Sequence, residues 1–201
     1  SGACLMHSSF PDTHHDVSSN TIFGFWLYIM TDCVMFASFF AAYVVLQGAA
    51  FGGPGPKDII HLGAALIETL ILLASSFSIG IAMLFAPRHK REALLSWLGV
   101  SFLLGCIFLW MGFVELQDLA LAGNTWKKSA FLSAYFTLIG VHGLHIVAGL
   151  LLMIFFGYQL CYFGFTAPIL RRLTCLRIYW QFVYLIWIFT FSLVHLMGAS
   201  S

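Results

Sequence analysis

Asp32, Glu68, His142 and His145 are ionisable residues set inside long apolar runs. An ionisable side chain in hydrocarbon is costly, so it tends to face a bundle interior, a cavity or a partner. That makes these four the first candidates for chemistry. His142 and His145 are three residues apart, the spacing that puts two side chains on one helix face. Glu115 and Asp118 repeat the spacing. Pairs of this kind build metal sites in helix bundles, commonly through Glu-x-x-His motifs. No Glu-x-x-His motif occurs in this sequence. Glu115 and Asp118 also fall near the end of their apolar run, while His142 is deeper. No convincing four-ligand set results, so histidines bonded to carbonyls or acidic groups on neighbouring helices are the first reading, ahead of metal or haem ligands. His7, His14 and His15 read as part of a solvated tail that binds metal only adventitiously. The five cysteines, Cys4, Cys33, Cys106, Cys161 and Cys175, form no Cys-x-x-Cys pair and read mostly as small apolar fillers.

The elements that carry these residues follow from composition. Hydrophobic residues make up 61% of the 201-residue chain and charged residues 8%. A soluble domain is roughly 45–50% apolar and about 25% charged. So few charges cannot clothe a water-facing surface, and a net charge of +1 offers no basic field to phosphates. A soluble enzyme, a disordered tail and a nucleic-acid binder are therefore excluded. The chain reads as all-α, a polytopic membrane bundle. About 20 apolar residues cross the ~30 Å hydrocarbon layer as a helix. Five segments qualify, about 22–47, 59–86, 94–116, 131–163 and 173–197. Residues 1–20 read as an N-terminal tail and 21–198 as one transmembrane domain. The first apolar run is too long for a signal peptide, and no small-residue cleavage site follows it, so it is expected to be retained. Breakers sit in the connectors: Gly48 to Pro56, Pro87, Gly123-Asn124 and Gly164 to Pro168. Arg88, Lys90, Arg91, Arg171, Arg172 and Arg177 fall on the side of the N-terminus, against Lys57, Lys127 and Lys128 on the other. The positive-inside rule then places the N-terminus in the cytoplasm and the C-terminus outside, which for a bacterial inner membrane is the periplasm.

Depth follows from a rise of 1.5 Å per residue. Asp32 comes out about 15 Å from one boundary and Glu68 about 12 Å from the other, so in a ~30 Å layer the two nearly coincide. His142 falls near the same plane. One buried polar layer of Asp32, Glu68 and His142 is expected, with His145 beside it. Three readings of that layer stand: a hydrogen-bonded structural cluster, a cleft for a lipid headgroup or small molecule, and a proton path or metal site. Glu115, Arg172 and Arg177 are expected at the membrane interface, as are Trp97 and Trp126. Small residues four apart, Ala37/Ala41, Ala74/Ser78 and Ser76/Gly80, allow close helix approach.

Several stretches resemble subunit III of the haem-copper oxidases. Gly24-Phe25-Trp26-Leu27-Tyr28-Ile29-Met30-Thr31-Asp32-Cys33-Val34-Met35-Phe36 resembles a helix of that family, and Glu68 to Ser76 resembles the next one. Gly140-Val141-His142-Gly143-Leu144-His145-Ile146-Val147-Ala148-Gly149 is close to the family's His-Gly-Leu-His-Val signature, and Tyr179-Trp180 with Ile186-Trp187 fits its last helix. The likeness covers about residues 21–198. Five helices instead of the usual seven, Asp32 where the cytochrome c branch usually has Glu, and the loop from Gly52 to Asp58 point to the ubiquinol oxidase branch. The family usually reads Trp-His-Phe-x-Asp where this chain has Trp180-Gln181-Phe182-Val183-Tyr184. Any role of that charged pair is not carried over. The resemblance implies a non-catalytic core subunit of a terminal oxidase that oxidises quinol, reduces oxygen to water and pumps protons. Haem and copper are then expected in subunit I, with none in this chain. It further implies packing against subunits I and II, a small subunit IV, and bound phospholipid in a cleft bordered by the helices of Asp32 and Glu68. The alternatives are subunit III of a cytochrome c oxidase, a small proton-coupled transporter subunit, and a b-type cytochrome with His142 as a haem ligand.

Overall fold

The computed structural model describes residues 13–46, 62–88, 90–121 and 130–196. Five long helices fill them: α1 Thr13–Leu46, α2 Leu62–Phe85, α3 Arg91–Leu121, α4 Ala130–Phe163 and α5 Ala167–Phe191. A short π-helical turn, Ser192–Leu196, ends the described chain. All five helices contain stretches long and apolar enough to cross a membrane, and no strand occurs among the described residues. The helices outrun several of the apolar runs that announce them. α1 starts at Thr13 and α5 at Ala167, because a helix keeps its backbone bonds past the point where side chains turn polar.

The joints are cut by residues that cannot continue a helix. Gly164 has φ +68° and closes its N–H on Leu160 O at 3.2 Å, a left-handed stop at the end of α4. Thr166 is then extended, and Pro168 sits in the first turn of α5, where a missing N–H costs nothing. Ala86-Pro87-Arg88 makes the turn between α2 and α3. Arg91 at the start of α3 donates to Cys161 O near the end of α4, tying the two helix ends.

α2 and α3 share the most extensive interface, and α4 and α5 pack on each other beside them. α5 also packs on α2, while α1 lies against α4 and α5. Trp180 on α5 is the hub, 1% exposed. Its indole fits because two glycines face it. A Cβ on Gly149 would sit 2.7 Å from Trp180 Cζ3, and one on Gly105 would sit 2.9 Å from Leu150 Cδ2 and 3.1 Å from the indole. The indole Nε1 donates to Ser75 Oγ at 3.0 Å. Ser75 Oγ donates to Ser101 O at 3.0 Å, and Ser101 Oγ returns a bond to Ser75 O at 2.9 Å. Buried hydroxyls thus bridge α2, α3 and α5 where lipid offers no partner. Phe77, Trp110, Leu103 and Val45 are exposed and clothe the outside of the bundle, as hydrocarbon requires.

Candidate functional site

The four intramembrane ionisable residues fall into two neighbouring sites divided between α1 and α2. Asp32 on α1 is 8% exposed, and its Oδ2 lies 3.6 Å from His145 Nε2 on α4. His145 Nδ1 is 2.8 Å from Val141 O, so Nδ1 carries the proton and donates it to that carbonyl. Nε2 is therefore the nitrogen that faces the carboxyl group, and a single proton suffices to join the two. The Phe36 ring covers His145 at 5.2 Å, and Tyr179 on α5 donates its hydroxyl to His145 O at 2.8 Å.

Glu68 on α2, 1% exposed, faces a cleft of about 170 Å³. Glu115, Tyr135, His142, Phe108 and Trp187 also line it. His142 is held by Nε2 donating to Val183 O at 3.2 Å, and its ring lies between Phe108 and Trp187 at 5.9 and 5.2 Å. Trp187 donates Nε1 to Thr69 Oγ1 at 3.1 Å, and Thr69 passes a bond to Ala65 O at 2.7 Å. That pins α5 against the turn of α2 that carries Glu68. The sequence grouped Asp32, Glu68 and His142 by depth. The structure pairs Asp32 with His145 and places Glu68 with His142 and Glu115.

A third feature opens where α5 begins. A groove of about 390 Å³ runs between α1, α4 and α5, with Arg171 and Arg172 at its mouth, Phe25 and Phe156 on its walls and Tyr179 in its lining. Arg172 donates Nη1 to Gln159 Oε1 at 2.7 Å. Tyr179, at the edge of this lining, is the residue that donates its hydroxyl to the His145 backbone carbonyl. Arg177 is exposed, ten residues into α5. Among the described residues no three His, Cys, Asp or Glu side chains converge as a metal site would need. Cys33, Cys106, Cys161 and Cys175 are free thiols. Cys4, His7, Lys57, Trp126, Lys127 and Lys128, and the side chains of His14 and His15, lie outside the described residues.

Sequence reasoning did not single out Tyr179, Arg171 or Gln159 as site residues, nor Ser75, Ser101 and Thr69 as the groups that hold the helices in register. A hydroxyl or amide every few residues is ordinary in an apolar helix, and only the facing helix gives each one a partner.

A family profile described as Cytochrome c oxidase subunit III matches residues 4–199. This chain belongs to that family. Subunit III of an oxidase is one chain of a complex, so this multi-pass membrane protein is built to sit beside other subunits. Its relatives cover both branches. Cytochrome bo(3) ubiquinol oxidase subunit 3 of Pseudomonas aeruginosa is 49% identical over 94% of this chain and 90% of its own length. Quinol oxidase subunit 3 of Bacillus spizizenii is 33% identical over 88% and 87%. Cytochrome c oxidase subunit 3 of Bacillus sp. strain PS3 is 31% identical over 89% and 86%.

Proposed function

We propose that this chain is the non-catalytic subunit III of a terminal quinol oxidase in a bacterial cytoplasmic membrane. Its role is to brace subunit I and to hold phospholipid. The observation that carries the reading is the 49% identity, over nearly the whole chain, to a ubiquinol oxidase subunit 3. The cytochrome c oxidase relative stands lower, at 31%. Quinol oxidation, oxygen reduction and proton pumping then belong to a partner chain carrying haem and copper, with a second subunit and a small fourth one completing the complex. The histidines here support that division of labour. His142 and His145 each bond a backbone carbonyl through one ring nitrogen, and the other nitrogen of His145 faces Asp32. The groove at Arg171 and Arg172 suits a phospholipid: two guanidinium groups at the mouth for phosphate and an apolar trough for an acyl chain. The N-terminus is assigned to the cytoplasm by the excess of basic residues on its side.

Purification through a tag on this chain in mild detergent tests the reading. A haem- and copper-bearing subunit should copurify, the preparation should oxidise a reduced ubiquinone analogue with oxygen uptake, and phospholipid should be present in the extract. Recovery of the chain alone from respiring membranes, or oxidation of cytochrome c but not quinol, would overturn it. Proteolysis of the N-terminal tail from outside intact cells would overturn the orientation.

A further inference from the structure

α5 packs on α4, α2 and α1, and the face it turns away from them is not purely apolar. Arg177, Gln181 and Tyr184 stand at i, i+4 and i+7, a single stripe of one helix face. Arg177 and Gln181 are exposed and Tyr184 is half-buried. Among the described residues none of the three side chains makes a hydrogen bond or ion pair. Every other arginine within a helix does better placed work: Arg91 holds Cys161 O, Arg171 its own Ala167 O and Arg172 Gln159.

Arg177 lies about 15 Å along α5 from its start, and Gln181 and Tyr184 follow about 6 and 10 Å further on. Lipid tails satisfy none of these groups. A phospholipid could answer Arg177 alone, since helix side chains tilt toward the N-terminus and an arginine stem can reach back to the headgroups. It cannot answer Gln181 and Tyr184, which lie deeper in the same line. A stripe that is cationic at one level and hydrogen-bonding for two further turns is answered by another helix. We infer that the Arg177–Gln181–Tyr184 face of α5 docks a transmembrane helix of another oxidase subunit. That helix carries a carboxylate level with Arg177 and hydrogen-bonding side chains one and two turns deeper. Arginine is the suitable cation, because its planar fork meets a carboxylate with two parallel bonds. Gln181 and Tyr184 are neutral, so this face asks one charge of its partner.

The assembled complex provides the test. A photoreactive phenylalanine analogue carried at position 181 should cross-link to a membrane-spanning segment of another subunit, mapped by mass spectrometry within two turns of an Asp or Glu. Cross-links only to lipid or detergent in an intact complex would overturn the inference and leave Arg177 as a headgroup contact. Arg177→Glu should leave the chain in the membrane but lower its recovery with the tagged complex at least tenfold, while Arg177→Lys retains most of it. Replacing the mapped acidic residue with Arg should restore recovery of Arg177→Glu. Full recovery of the Glu variant without that exchange would overturn the inference. Should that variant be degraded, the cross-link decides alone.

Discussion

Asp32 sits between the Tyr28 side chain on its own helix and His145 at 3.6 Å, and its Oδ2 has no hydrogen bond within the bundle. An incompletely satisfied group in a dry site is more sensitive to its partner than a fully bonded one, since nothing else takes up the loss. Asp32→Asn keeps a polar group opposite Nε2. Asp32→Leu leaves that nitrogen facing hydrocarbon, which costs about 1–3 kcal/mol. The thermal midpoint of the purified complex should therefore fall less for the amide than for the leucine, and equal midpoints would show that the pair contributes nothing. His142 is a different case. It is 1% exposed, clamped between two aromatic rings and bonded to Val183 O. His142→Gln retains a donor for that carbonyl but loses ring packing, so assembly yield should fall while the haem absorption of the complex stays unchanged. Loss of one haem's band from a fully assembled complex would make His142 a ligand.

At the scale of elements, the hub is the meeting of Trp180 with Gly149 and Gly105. An added methyl at Gly149 falls 2.7 Å from the indole and 3.0 Å from Tyr179 Cε1; the indole cannot swing aside while Nε1 stays bonded to Ser75, nor the phenol while its hydroxyl stays bonded to His145 O. Gly149→Ala should cost about 1–3 kcal/mol by overpacking, read as a lower midpoint, and Trp180→Phe in the same chain should recover part of it. Gly63, with nothing within 4 Å of an added Cβ, should accept Ala without such a loss. This hub separates what the sequence made legible from what it did not. Five helices were readable because lipid demands long apolar runs, and the breakers at Pro87 and Gly164 to Pro168 mark two of the joints. Rise per residue fixes the spacing along a helix, but rotation about the axis was not readable. Whether Asp32 meets Glu68 or His145 depends on which way α1 faces, and that is set by Phe36, Phe40 and Tyr43 packing on His145, Phe182, Phe189 and Phe131 of α4 and α5. With apolar residues all around each helix, no amphipathic stripe in the sequence reports the facing.

At the scale of the whole molecule, the bundle holds its ends by different means. At one end Arg91 ties α3 to α4, and Arg172 ties α5 to Gln159 on α4. These bonds leave the groove open between α1, α4 and α5, with Arg171 and Arg172 at its mouth. The groove is mostly apolar-walled, so acyl-chain contact supplies broad, unspecific attraction, while the guanidinium groups select for phosphate. Charge-assisted hydrogen bonds contribute on the order of 1.5–3 kcal/mol when shielded from water, and 1.4 kcal/mol is tenfold in affinity. Replacing both arginines, Arg171→Gln with Arg172→Gln, should therefore lower phospholipid retained by the delipidated and titrated complex roughly tenfold or more. Gln at 172 can still bond Gln159, so the helix ends should stay together and the haem spectrum should not change. Raising salt should weaken lipid retention in the parent complex and matter little in the double variant, because screening acts on the charges that have been removed. Native mass spectrometry across a lipid titration gives both numbers at once. Equal retention in the two proteins, at low and high salt, would mean that the groove holds lipid through its apolar walls alone and that the two arginines serve the interface and not the ligand.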